Sequence, residues 1–308
     1  HPDEVHFVPD VREDLARRDF TINAMAYNEK EGLVDPFGGQ ADLQSGILRA
    51  VGVPHQRFTE DALRILRLYR FAARFGFSID PPTARAAQEL CAHLDCVSVE
   101  RIEEELAKLL SAPAPAAYLD EKILGVVLPE LSPEALAAAK PVVDACPAGK
   151  QALRVRLAAL LLSLGEDGTR RTLRHLRCSN ACIEETAVLV REVVSGVPVS
   201  LNIHARRLLG KYNLCTVQRL AALGTALQPE HAADFAALSE LAERLDADGV
   251  CCRISQLAVN GRDLMAAGVP AGPGIRKVLE ALLDGVIREE YPNERQALLA
   301  AVQQLAAS

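Results

Sequence analysis

The chain has no tryptophan, and phenylalanine and tyrosine together make up only 4% of its 308 residues. With so few rings, any nucleotide or RNA site must rely on charge and hydrogen bonds more than on aromatic stacking. No apolar run reaches the roughly 18 residues of a membrane span, and no secretory leader opens the sequence. The eight cysteines contain no C-x-x-C pair, which argues against a zinc ribbon or a thioredoxin-like motif and for free thiols in a reducing, cytoplasmic compartment. Positive charge is not in excess: the net charge is −7, so any RNA contact must rest on local patches such as Arg12, Arg17 and Arg18, or Arg64 to Arg74. No fixed repeat period emerges, which excludes a regular solenoid.

What is present is ordinary globular usage, 49% apolar and 24% charged, in a chain long enough for two or more cores. Its character changes near residue 52. Before it, Glu4 to Val8, Leu33 to Asp35 and Ile47 to Val51 read as short strands, and Asp19 to Tyr27 as a helix. After it the pattern is helical throughout: 59 to 75, 81 to 94, 98 to 110, 113 to 120, and then Ala/Leu-rich helices punctuated by proline and glycine. The fold class expected is mainly α, with a truncated α/β head followed by an all-helical remainder.

The most informative stretch is Glu60 to Phe75, E-D-A-L-R-I-L-R-L-Y-R-F-A-A-R-F. Read as one helix, it places Asp61 and Arg64 one turn apart, with Arg67, Arg70 and Arg74 continuing as a cationic stripe. Leu63, Ile65, Leu66, Leu68, Phe71 and Phe75 supply the buried side. Asp61 only accepts hydrogen bonds and Arg64 only donates them. Cytosine and adenine present an amino donor beside a ring-nitrogen acceptor, whereas uracil and guanine present a carbonyl beside an N–H. The pair therefore complements C and A and mismatches U and G. An amphipathic helix laced with i,i+3 and i,i+4 ion pairs is the plainer reading of the same residues.

Two further blocks bear on that choice. Arg17-Arg18-Asp19-Phe20-Thr21-Ile22-Asn23-Ala24-Met25-Ala26 lies upstream, followed by Val34-Asp35-Pro36-Phe37-Gly38-Gly39. With Glu60-Asp61-Ala62-Leu63-Arg64, their order and spacing resemble the class II tRNA nucleotidyltransferases and their poly(A) polymerase relatives, most nearly the bacterial CCA-adding enzymes. The resemblance extends more weakly through Ser98-Val99-Glu100-Arg101-Ile102 to Val259 through Leu264 and Gly272-Pro273-Gly274-Ile275. It implies a nucleotidyltransferase head ending in residues 1–52, a base-recognition neck over 53–112, a helical body over 113–200, and a tRNA-binding tail over 201–308.

The activity implied is untemplated addition of C, C and A to tRNA 3′ ends, with ATP and CTP as substrates and Mg2+ as the metal. A poly(A) polymerase, or a helical RNA-binding module without catalysis, are the alternatives. The family's Gly-Ser turn and metal-binding Asp-x-Asp precede the Arg-Arg-Asp block, and neither is found here. The chain reads as part of a longer protein, with no catalytic carboxylates of its own and no expected transfer activity by itself. The one Asp-x-Asp, Asp246 and Asp248, reads as a helix end. Leu162 and Ser163 stand where the related HD phosphohydrolase pattern has metal ligands, so a second hydrolytic centre is not expected.

The resemblance also implies roles. Arg18 contacts triphosphate or ribose; Asp19 accepts from ribose hydroxyls or orients Arg18; Asn23 joins that network. Asp61 and Arg64 read the base, and Arg67 and Arg70 approach the phosphates as bidentate donors. Glu60 braces an arginine or caps the helix, and Arg101 reaches across from the helix that Ser98 opens. Arg276 and Lys277, in the first turn of a helix begun by Gly272-Pro273, are the candidate contacts to the tRNA backbone.

Overall fold

The computed structural model describes residues 10–30, 32–193 and 200–307. It is mainly helical, as the sequence implies, and among the described residues no helix is long and apolar enough to cross a membrane. The strand expected over Glu4 to Val8 lies outside the described residues. The chain forms two compact units, residues 1–191 and 192–308.

The first unit starts with α1 (Val11–Ala16), whose first turn is capped by the Asp10 carboxylate accepting from the Arg12 N–H. Leu15 is its buried residue and packs with Ala24 and Val51. The helix expected from Asp19 to Tyr27 does not form. Thr21–Asn23 make a single 3-10 turn, and β1 (Ala26–Asn28) then pairs antiparallel with β2 (Gly32–Val34). Long-range pairing overrides local helical preference here: Phe20 bridges to Ala50, and the Thr21 N–H donates to the Arg49 carbonyl.

The Asp35 to Gly39 turn caps α2 (Gly39–Ser45), because the Asp35 carboxylate accepts from the N–H groups of Gly39 at 2.7 Å and Gln40 at 2.9 Å. Gly38 adopts φ 74°, and a Cβ on Gly39 would lie 2.1 Å from the Thr21 carbonyl oxygen, so both glycines are required.

A parallel pair follows, β3 (Ile47–Leu48) beside β4 (Ser78–Ile79), joined by two helices. The single helix expected from Glu60 to Phe75 is two: α3 (Pro54–Glu60) and α4 (Leu63–Phe75). Asp61 breaks them at φ −151°, ψ 102°, and its Oδ1 accepts from the Leu63 N–H at 3.1 Å. A short carboxylate that satisfies a free amide at a helix start competes with helix continuation.

Next come α5 (Pro81–Glu89), α6 (Val99–Leu110), α7 (Glu121–Val127), α8 (Pro133–Ala145), α9 (Leu153–Leu161), α10 (Gly165–His175) and α11 (Asn180–Val193). In place of a helix over 113 to 120 there is one 3-10 turn, Ala116–Tyr118, since Pro113 and Pro115 remove amide donors. α4 packs along α6, and Ile65, Leu66 and Leu68 of the one and Leu106 and Leu109 of the other are buried. Phe20 meets Phe71 edge-on at 5.8 Å between centroids, anchoring the Arg-Arg-Asp segment to α4.

The second unit contains α12 (Leu201–Lys211), α13 (Leu214–Leu227), α14 (Ala232–Ala247), α15 (Gly261–Ala266), α16 (Pro273–Ile287) and α17 (Arg295–Ala307). α13 and α14 lie side by side where Gly224 admits the Phe235 ring; a Cβ there would sit 2.4 Å from it. Asp246 and Asp248 end α14 ahead of Gly249 at φ 63°, as a helix terminus. Leu264, Leu282, Val286 and Leu298 form the core of the last three helices.

Candidate functional site

A cleft of about 460 Å³ in the first unit is lined by Arg17, Arg18, Asp19, Asn23, Asp61, Arg64, Arg67 and Arg101. Residues up to 84 positions apart converge there because α1 ends at Arg17, Asp61 breaks the α3–α4 helices, and α6 lies along α4. Five guanidinium groups face two carboxylates. The cleft is therefore suited to a polyanion that also offers a hydrogen-bonding edge.

Asp19 is nearly buried at 7% exposure, and its four hydrogen bonds are to protein. Oδ1 accepts from the Phe20 N–H at 2.9 Å and the Asn23 amide at 3.0 Å; Oδ2 accepts from Arg67 Nε at 2.9 Å and Nη2 at 2.6 Å. Asn23 thus shares a hydrogen bond with Asp19. The arginine that Asp19 orients is Arg67, not Arg18, which instead pairs with Asp14 at 2.9 Å.

Asp61 accepts from Arg101 Nη2 at 3.0 Å through Oδ2, while Oδ1 holds the start of α4. Arg101 thus reaches across from α6. Ser98 stands at the helix start without a side-chain capping bond. Arg64 spreads its guanidinium over three acceptors: the Arg57 carbonyl at 3.1 Å, Glu60 Oε2 at 3.0 Å and the Arg17 carbonyl at 2.9 Å. Glu60 braces two arginines, accepting from Arg57 Nη2 at 2.8 Å with its other oxygen.

Arg70 is not in the cleft. Residues three apart on a helix are rotated by about 60° from perfect superposition, so the stripe from Arg64 through Arg67 winds away by the time it reaches Arg70. There Glu105 of α6 takes Nε at 2.5 Å, and the guanidinium lies 3.7 Å from the Phe71 centroid. Its expected place at the phosphates gives way to a buried ion pair. Arg276 projects from α16 in the second unit, 82% exposed and paired with Glu280 at 2.9 Å, and Lys277 adjoins it.

Two arginines outside the cleft lining, neither of them marked by the motifs, tie elements of the first unit together. Arg49 pairs with Asp42 at 3.1 Å and Asp80 at 2.6 Å, tying α2 to the start of α5; the Asp42 hydrogen bond raises the guanidinium above its usual pKa. Arg57 donates to the Ala16 carbonyl at 2.9 Å. Its i,i+3 and i,i+7 spacing to Glu60 and Arg64 was the available signal.

A family model of the poly A polymerase head domain matches residues 1–49, one for a "probable RNA and SrmB-binding site of polymerase A" matches 76–134, and one for tRNA nucleotidyltransferase domain 2 matches 153–302. The chain is 33% identical over 306 residues to the CCA-adding enzyme of Geobacillus thermodenitrificans, covering 97% of this chain and 74% of that protein. A similar relative is the CCA-adding enzyme of Lactiplantibacillus plantarum, 33% identical over 97% of this chain and 73% of its own. Among solved structures, the Bacillus stearothermophilus CCA-adding enzyme in complex with CTP superposes with a TM-score of 0.80 at 27% identity, over 98% of this chain and 76% of that one. The Thermotoga maritima CCA-adding enzyme complexed with tRNA shares the fold at a TM-score of 0.67 and 23% identity, over 96% of this chain and 74% of that one.

Proposed function

The chain belongs to the CCA-adding enzyme family, and from that premise we propose that Asp61 and Arg64 select the incoming base within the cleft. The reaction is the untemplated addition of C, C and A to tRNA 3′ ends, with CTP and ATP as nucleotide substrates. The observation that carries the assignment of residues is the convergence of Asp61 and Arg64 on one cleft with Arg17, Arg18 and Arg67.

Asp61 is held between the α4 amide and Arg101, and a carboxylate oxygen has a second lone pair for the amino group of C or A. Arg64 donates to the adjacent ring nitrogen. U and G would put a carbonyl against the carboxylate and an N–H against the guanidinium, a double mismatch of acceptor with acceptor and donor with donor. Arg17, Arg18 and Arg67 face the triphosphate. Asp19 acts through Arg67, whose orientation it fixes. The second unit anchors tRNA by its backbone, with Arg276 and Lys277 as contacts.

Magnesium is the metal the family reading implies. Among the described residues no group of three or more His, Cys, Asp or Glu side chains could hold a metal ion, so these residues do not fit a resident metal and none is assigned to it.

Asp61→Ala tests the base-reading role. The preference for CTP over UTP should fall about 10- to 100-fold, the equivalent of one charged hydrogen bond. An unchanged ratio would remove the pair from base selection.

A further inference from the structure

Arg57 does not line the cleft, yet it joins the elements that do. From α3 its Nη1 donates to the Ala16 carbonyl at 2.9 Å, and its Nη2 to Glu60 Oε1 at 2.8 Å; its own carbonyl accepts from Arg64 Nη1 at 3.1 Å. Arg64 Nη2 takes the next carbonyl of the same strip, Arg17, at 2.9 Å. Two guanidinium groups thus stand side by side at the C-terminal end of α1, where the helix dipole favours cations. Glu60 lies between them, accepting from each, and relieves their mutual repulsion. The Arg57 side chain is 11% exposed, so the fork is held in a restricted setting.

We propose that Arg57 is a positioning residue for base selection: by fixing Glu60 and the Ala16–Arg17 carbonyl strip, it sets the angle at which the Arg64 guanidinium faces the incoming base. This rests on the reading of Asp61 and Arg64 as the base-selecting pair. Without Arg57, Glu60 is free to turn wholly toward Arg64, and the end of α1 loses one of its two ties to the α3–α4 segment. The guanidinium is then drawn off the base edge while its charge remains.

The test is the ratio of UTP to CTP dissociation constants for the full chain, measured for Arg57→Met, Arg64→Ala, the double variant and Asp61→Ala. Arg57→Met should narrow the ratio by about tenfold, a usual coupling within one hydrogen-bonded network. A purely structural loss would weaken both nucleotides alike and leave the ratio in place. Because Arg57 acts through Arg64, the double variant should show no more narrowing than Arg64→Ala. Arg57→Lys keeps the charge and the aliphatic stem but not the two-pronged fork; it should narrow the ratio less, and it carries the test should Arg57→Met fail to fold. If Asp61→Ala narrows the ratio and the Arg57 variants do not, or if their effect persists without Arg64, Arg57 has no positioning role. If Asp61→Ala leaves the ratio unchanged, the base-selecting pair itself is misassigned.

Discussion

Arg67 directs two donors, Nε at 2.9 Å and Nη2 at 2.6 Å, at the same oxygen of Asp19. Because Asp19 is nearly buried and Arg67 is one-third exposed, the pair lies between a surface bridge and a fully buried one. Asp19→Asn removes the negative charge while keeping the side chain's size, and leaves Arg67 facing an amide. Unfolding in urea without nucleotide should show a loss of about 1–3 kcal/mol, more than a surface pair gives and less than a fully desolvated one. A loss under about 0.5 kcal/mol would place the pair with solvated surface bridges.

Arg156 is fully buried on α9, where backbone carbonyls receive its guanidinium: Nη1 donates to Leu110 at 2.6 Å and to Ala112, and Nη2 to Pro113 and Cys146 at 3.2 Å. Burial lowers its pKa, yet the cation lies against the carbonyl-rich end of α6, where the helix dipole supports it. Arg156→Met should cost about 3–5 kcal/mol, since it strands several buried acceptors. Arg156→Lys should recover little of it, because one ammonium cannot reproduce the planar fork. The midpoint of chemical denaturation reads both.

Cys182 is a half-buried thiol on the first turn of α11. A hydrogen bond from Cys178 lowers its pKa below the usual thiol range, with help from the Thr186 hydroxyl and Arg154 and against its burial; Cys178 is raised in turn. By contrast, burial raises Cys146 to about 11. A lowered pKa means thiolate above it, so alkylation by iodoacetamide at pH 7 should mark Cys182 ahead of Cys146, with a rate that falls as pH drops through a midpoint below that of an ordinary thiol. Cys178→Ala should move that midpoint upward. Peptide mapping of the labelled protein against pH checks both outcomes.

Arg276 and Lys277 offer the second unit's test. If they meet tRNA phosphates, Arg276→Ala with Lys277→Ala should weaken tRNA binding and flatten its dependence on salt by about two counterions at most. CTP affinity should not change, because the cleft that carries the proposed base-selecting pair is built from the first unit alone. Wild-type affinity with a wild-type salt slope would make this helix start a matter of packing.

Much of the cleft was legible because its chemistry is written in residue types: an acceptor-only Asp61 near a donor-only Arg64, and an Arg-Arg-Asp segment upstream. What stayed hidden depended on partners distant in sequence. Arg70 looked like the next rung of a stripe until Glu105, 35 positions on, captured it. Thr21–Asn23 looked helical because nothing local reveals that Phe20 bridges to Ala50. The break at Asp61 carries neither glycine nor proline, and the apolar pattern from Phe58 to Leu66 runs through it; only the carboxylate's bond to the Leu63 amide ends one helix and begins the next.

The ties from Arg57 and Arg64 to α1 end on main-chain carbonyls. Every amino acid brings that oxygen, so replacements at positions 16 and 17 can alter the chemistry of the cleft wall without withdrawing an acceptor. Half of the joint is therefore indifferent to mutation in kind, though not in shape. Paired changes between α1 and α3 would leave no record of it in a set of related sequences: covariation sees side chains exchanging with side chains, and here one partner never varies. Arg57 and Arg64 would show only as individually constrained positions, and the contact that constrains them has to be read from the fold.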